Sequence, residues 1–387
     1  MSPAMPSIPR VGALLVLAGL LVPGQAGGYP LDGYERTGIG RLEAQRRVEA
    51  GQMQGRRQPA GAQLPTAAVD LRLADRTDMA LPAPDAGFTA AIVELLGEYA
   101  PDYSVAVLDL SDPDAPRYAE HNADVRRNPG SVGKLLVALG VFQALADRFP
   151  GDVTARERLL RETDVVADEF IISDHHTVRR WDEATETLIR RPLEVGDSGS
   201  LWEYLDWMMS PSSNAAAAML ARETVLMRGL GEAYPPSAEA AAAFFGDTPR
   251  AELGRLLEQA IQAPVRRNGL DLDRIRQGSL FTRTGKRKIP GTYSYATVRA
   301  LMRYLLLMEQ GRLVDAFSSR EIKRLMYVTE RRIRYASSPA LRDAAVYFKS
   351  GSLYRCEPEP GFTCLKYNGN KRDLMDYAAI RKSPAAG

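Results

Sequence analysis

The sequence is poor in cysteine and histidine and has no excess of charge of either sign. Two of its 387 residues are cysteines, three are histidines, and the formal net charge is +2. Two cysteines cannot by themselves make a structural zinc site, and they exclude a disulfide-dense small scaffold. Near-neutral charge gives no argument for a nucleic-acid partner. Glycine (32) and proline (25) are only mildly raised, and 45% of residues are hydrophobic. That composition excludes a collagen-like chain and a largely disordered one.

Long apolar runs are also scarce. The clearest is VGALLVLAGLLV, from Val11 to Val22, behind a leader whose only charged side chain is Arg10. Twelve residues are too few for a membrane-spanning helix, which needs about 20. Pro23 and the small-residue stretch Gly24-Gln25-Ala26 follow. This is the layout of a cleavable secretory signal. Residues 1–26 are therefore expected to be removed, leaving a secreted or periplasmic chain that starts near Gly27. No later run is long and apolar enough to suggest an integral span. Cys356 and Cys364, with seven residues between them, are close enough to bridge across a hairpin turn in an oxidising compartment. Two free thiols are the alternative.

Residues 27–81 are weakly patterned and read as a leader or a strap, with LEAQRRVEAG as a candidate short helix. From Pro82 the pattern sharpens. Asp85 is placed to cap a helix that turns Phe88, Ile92, Leu95 and Leu96 toward a core. Residues 103–110 alternate as a strand, 111–114 supply a turn, and Arg117–Glu120 starts the return. A strong helical run begins at Ser131, and residues from about 135 to 330 read as mostly helical. Three strands are expected at the end, over 345–350, 362–368 and 374–380, as an antiparallel meander. The whole predicts an α+β fold: an antiparallel sheet formed from both ends of a domain spanning 82–387, with a helical subdomain inserted.

Three short polar motifs stand out. In Ser131-Val132-Gly133-Lys134 the serine opens a helix and the lysine follows at i+3 on the same face. A serine hydroxyl needs a neighbouring base to be a nucleophile, and a lysine serves if burial or nearby positive charge lowers its pKa. Taken alone, the spacing also fits a helix cap with a solvent-facing lysine. Ser212-Ser213-Asn214 heads an alanine-rich helix and fits either a cap or a proton relay beside an amide-holding asparagine. Lys349-Ser350-Gly351-Ser352 lies on a strand before the cysteine pair. There, glycine permits close approach of backbone, and lysine and serine suit a carboxylate.

The order SxxK, SxN, KSG resembles the penicillin-recognising serine hydrolases, the group of class A β-lactamases and low-molecular-weight D,D-peptidases. SSNAAAAMLA is similar to that family's SDNTAANLLL segment, with Ser213 where aspartate is usual. Residues 294–326 resemble the helices before its final strands. The likeness extends over roughly residues 82–380. It implies Ser131 as the acylated nucleophile and Lys134 as its base partner. It also implies Ser212 as proton relay to the leaving group and Asn214 as holder of the substrate amide. Lys349 and Ser350 would face a substrate carboxylate, with Gly351 between them and Ser352. The backbone N–H groups of Ser131 and Ser352 would form an oxyanion hole. No cofactor and no metal is implied. The isolated His121 and the adjacent His175-His176 do not have the i,i+4 spacing of a ligand pair.

Two departures matter. The family's Glu-x-x-Leu-Asn segment, which supplies the base for deacylation, is not found between Asn214 and Lys349; Glu252 and Glu258 are the acidic candidates there. Only RKSPAAG follows Ile380, where the family has a helix across the sheet, so residues 27–80 are expected to cover that face. Trp202, Tyr204 and Trp207 read as helix packing, with Trp207 and Tyr293 as candidate cleft walls. The expected function is an exported serine hydrolase that cleaves or transfers a peptide, amide or β-lactam acyl group through an acyl-serine. Its substrate would be a small molecule or peptide, including peptidoglycan-derived ones, and the chain is expected to be monomeric. The alternatives are an efficient β-lactamase with an unconventional deacylating base, and an inactive binding protein on the same fold.

Overall fold

In the computed structural model, residues 32–364, 370 and 372–382 are described, the last eleven as backbone only. The expected signal segment, its cleavage site and residues 365–368 lie outside them. After a short helical turn at Gly33–Thr37, helix α1 (Gly40–Glu49) forms where LEAQRRVEAG is a candidate short helix. Helix α2 (Ala86–Leu96) is capped by Asp85, whose carboxylate accepts from the Phe88 N–H. Its apolar face is less buried than the spacing suggests, and Leu95 is 83% exposed. Strands β1 (Val105–Asp109) and β2 (Arg117–His121) form an antiparallel hairpin with Val107 opposite Ala119.

A 3₁₀ turn, Gly130–Gly133, leads into helix α3 (Lys134–Arg148), the spine of the core. Leu135, Leu136, Leu139 and Phe142 are at most 1% exposed. By length and composition the stretch Gly130–Arg148 could cross a membrane. Here it is enclosed by protein, which accounts for apolar residues on all its sides. Hairpin strands β3 (Thr177–Asp182) and β4 (Thr187–Pro192) interrupt the region expected to be helical. Helix α4 (Leu201–Met209) then starts with a Ser200/Glu203 capping box, and helix α5 (Asn214–Leu230) is capped by Ser213. Ala215–Ala218 are fully or almost fully buried. Their small side chains let α5 lie close to α3 while favouring the helix.

Helices α6 (Val298–Glu309) and α7 (Ala316–Tyr327) precede the last hairpin, β5 (Ala345–Arg355) with β6 (Arg372–Lys382). Strand pairing runs from Ala345 opposite Lys382 to Arg355 opposite Arg372. The architecture is α+β. Among the described residues, the end of the chain forms a long two-stranded hairpin: Phe362 makes only an isolated bridge with Glu359, the rest of the strand expected over 362–368 lies outside the described residues from 365 on, and Cys356 and Cys364 are bonded near the turn, Cα atoms 5.8 Å apart. Glycine and proline around 358–361 interrupt a strand there. The terminal hairpins β1–β2 and β5–β6 are separate two-stranded sheets among the described residues.

Residues 32–81 lie along the domain and are tied into it. The Arg41 guanidinium, 4% exposed, bonds the buried Asp206 carboxylate through Nε at 2.6 Å and Nη2 at 2.5 Å, and donates to the Val328 carbonyl. Lys323 Nζ donates to the Asp70 carbonyl and to Glu309. Gly61 sits so close to Ala344 that a Cβ would come within 2.1 Å of its carbonyl oxygen. The Tyr327 hydroxyl donates to the Gly61 carbonyl while accepting from the Leu64 N–H.

Candidate active site

The three motifs converge on one cleft of about 520 Å³, lined by Ser131, Ser212, Ser350, Gly351 and Ser352 among others. Ser131 lies in the 3₁₀ turn and Lys134 in the first turn of α3, so their side chains share a face. Lys134 Nζ is 3.0 Å from Ser131 Oγ. It also reaches the Ser212 carbonyl (2.7 Å), Ser212 Oγ (3.2 Å) and Asn214 Oδ1 (2.8 Å). The Phe281 ring covers it, with the centroid 4.9 Å from Nζ. Lys134 is 0% exposed, and burial brings its pKa down to about 7, against an opposing pull from Asp174. A lysine so placed holds a large neutral fraction near neutral pH, as a base must.

Ser212 has φ +65°, a left-handed conformation that serine adopts at a cost of about 1 kcal/mol or more. The turn points its Oγ between the two lysines: Lys349 Nζ donates to it at 2.8 Å. Lys349 is held well below the usual lysine range by burial first, then by repulsion from Lys134 and Arg334. It stands on β5, which pairs only with β6 among the described strands, leaving its other edge open toward Ser131. Gly351 makes that approach possible. A Cβ there would lie 2.8 Å from the Pro129 carbonyl oxygen and 3.0 Å from the Ser131 nitrogen.

Behind and around the cleft stand residues that the motifs do not announce. Asp174 Oδ2 accepts from Ser213 Oγ and the Ala215 N–H, both at 2.8 Å, and Oδ1 lies 2.6 Å from His176 Nδ1. Burial alone would raise its pKa, but the partners led by His176 hold the carboxyl well below the usual range. Asp174 thus braces the turn carrying Ser212 and puts a negative charge behind Lys134. His175 and His176 are stacked in the cleft wall. Arg334, also left-handed with φ +52°, extends its guanidinium to Ser352 Oγ. The Asp174–Ser213 contact has a faint trace in sequence: a serine beside Asn214 leaves a carboxylate to be found elsewhere.

Other expectations are corrected. Trp207 is 1% exposed inside the core, its indole N–H donating to the Arg179 carbonyl, and Tyr293 is 89% exposed. Neither lines the cleft. Glu252 pairs with Arg255 and Glu258 with Arg266 on the surface, so neither faces Ser131. Glu330 is the sole carboxylate lining the cleft among the described residues, and it is paired with Arg179 at 2.9 Å.

Replacing Asp174 by asparagine should keep the hydrogen bonds to the α5 turn while removing the charge. Lys134 then loses its proton more easily. The acid limb of the acylation rate should move to lower pH, with the plateau above it little changed. Alanine should instead destabilise the protein by about 1–3 kcal/mol, because the Ser213 hydroxyl and Ala215 N–H lose their acceptor. Rate–pH profiles and thermal midpoints of the two variants check this.

Neither known family profiles nor curated protein sequences match the chain. Among solved structures it is similar to a β-lactamase from Chitinophaga pinensis, at 16% identity and TM-score 0.44, over 71% of this chain and 81% of that one. A β-lactamase from Sphaerobacter thermophilus gives 17% identity and TM-score 0.41, over 70% and 80%. PBP-A gives 13% identity and TM-score 0.40, over 79% and 91%.

Proposed function

We propose that the chain is an exported serine hydrolase that forms a covalent acyl-serine on Ser131 with an amide, peptide or β-lactam substrate. The observation that carries this reading is the buried Lys134, 3.0 Å from Ser131 Oγ, with its pKa brought down to about 7. Without a hydrolytic role, a lysine 0% exposed is a costly residue to keep beside a serine.

Ser131 Oγ attacks the acyl carbon while its proton passes to Lys134 Nζ. Negative charge develops on the acyl oxygen, which the Ser131 and Ser352 N–H groups would stabilise. The carbonyl C–N bond then breaks, and the leaving nitrogen takes a proton from Ser212 Oγ, which is replenished from Lys134 or Lys349. Asn214 orients the acyl-side amide, and Lys349 with Ser350 receives a carboxylate on the leaving side. Water or an acceptor amine then takes the acyl group and restores Ser131. The Cys356–Cys364 bond supports an oxidising compartment for this chemistry.

Intact-mass measurement after incubation with benzylpenicillin tests the reading. One adduct is expected, mapping to the peptide containing Ser131 and absent from S131A. An adduct that persists in S131A, or none in the wild type, would overturn it.

A further inference from the structure

The hairpin β3–β4 carries four arginines, and three of them are spoken for. Arg179 pairs with Glu330, and Arg180 and Arg191 both pair with Asp197. The fourth, Arg190, is exposed; its Nε donates only to the Thr177 hydroxyl, 3.1 Å away, and it lines the cleft that holds Ser131. Arg331, also exposed and without a carboxylate partner among the described residues, lines the same cleft from the segment after α7. Arg334 supplies positive charge beside the strand β5 edge, where its guanidinium meets the Ser352 hydroxyl. Against these stands Glu330, already neutralised by Arg179. For a chain of net charge +2, the cleft is strongly cationic. A low-dielectric cleft lined by one sign of charge concentrates ligands of the other sign.

The polar and cationic groups of the cleft can be divided into two sets by what the proposed reaction already uses. One, at Lys349, Ser350 and Arg334, is occupied in the proposed reaction by the carboxylate of the leaving portion. Arg190 and Arg331 make a second, which that carboxylate does not need. Resting on the serine-hydrolase reading, we propose that the preferred acyl donors carry a second anionic group, a carboxylate on the acyl arm, received by Arg190 and Arg331.

The test uses two thioesters of thioglycolate that differ only in that group: N-succinylglycyl thioglycolate and the same compound with the succinyl acid as its methyl ester. In both, Ser131 Oγ bonds to the acyl carbon as the C–S bond breaks. Thioglycolate leaves with the proton that Ser131 gave up, and a thiol reagent counts it. Water then hydrolyses the acyl-serine. The free acid should be used with kcat/KM about 10- to 100-fold higher at low salt, a preference that shrinks as salt screens the rim. R190A/R331A should bring the ratio near one, and R190E/R331E should favour the ester. Both residues are exposed, so folding is not at stake, and a thermal melt verifies it. In S131A, calorimetry should show the acid binding more tightly than the ester. Equal use of both thioesters, or a preference surviving in R190A/R331A, would overturn the proposal while leaving the serine-hydrolase reading intact. Ser131-independent thiol release from both compounds would overturn the reading and the proposal together.

Discussion

Replacing Lys134 by alanine should slow acylation of Ser131 by about 10²–10⁴-fold, the usual worth of a positioned proton acceptor. The effect is expected to be large because the described cleft offers no second base close to Ser131 Oγ. His176 is turned to Asp174 through Nδ1, and Lys349 reaches Ser212 rather than Ser131. Lys134→Arg separates chemistry from packing. Arginine keeps the positive charge and much of the bulk but does not give up its proton in this range, so it should be as slow as alanine. In the wild type, acylation should fall as pH drops through about 7, where Lys134 takes up its proton. Stopped-flow acylation by a chromogenic β-lactam, from about pH 5 to about pH 9, measures both. An alanine variant within about threefold of wild type would remove Lys134 from the mechanism.

The second large effect concerns release of the acyl group. Deacylation needs a water against the ester and a base to take its proton. The carboxylates considered from sequence, Glu252 and Glu258, are paired on the surface. Glu330 is held by Arg179, and Asp174 spends its oxygens on Ser213, Ala215 and His176. Over Lys134, where a water-activating group would be useful, stands the Phe281 ring. The nearby Gln277 Oε1 is buried without a partner and lies against Gly133. A carboxamide there can orient a water but cannot take its proton. Nitrocefin should therefore give a burst of one equivalent followed by a slow steady rate. Phe281→Glu should raise the steady rate by about 10²–10⁴-fold by supplying the missing base, with the burst retained. Fast linear turnover by the wild type, lost in Glu330→Gln with acylation intact, would show that Glu330 leaves Arg179 and acts as that base.

The parts of the site legible in sequence are those set by local spacing. Ser131 and Lys134 meet because they lie three positions apart at a helix start, and Ser212 and Asn214 flank a cap. Gly351 marks the place where backbone crowds backbone. The cysteines were legible for the same reason, being eight positions apart in one hairpin. Groups that arrive from distant segments leave no such mark. Asp174 and His176 come from the loop before β3, Phe281 from a connection between helices, and Arg334 from a left-handed turn. Their neighbours are fixed by tertiary packing rather than by periodicity. The hairpin β3–β4 was missed inside a helical region because its strands carry charged residues on both faces, so alternation is weak. Trp207 packs in the core, as its place in the helix suggests, and not in the cleft wall that its nearness to the second motif also allowed. Only its burial on the α4 face decides between them.

The ties made by residues 32–81 bear on the order in which the molecule can assemble. Arg41 finds its partners at Asp206 and Val328, and Asp70 finds its partner at Lys323. The earliest described stretch therefore cannot complete its contacts until residue 328 has been made. Loops of that length are slow to close, and folding rate falls as contacts become more distant in sequence. Until α7 is in place, the Arg41 guanidinium and the Asp206 carboxylate cannot both be buried with their full set of partners, so the stretch 32–81 is among the last parts to settle. A chain interrupted before residue 323 would keep the ties of Arg36 to Glu157 and Arg41 to Asp206 but lose those to Lys323 and Val328, leaving part of this segment open to other molecules.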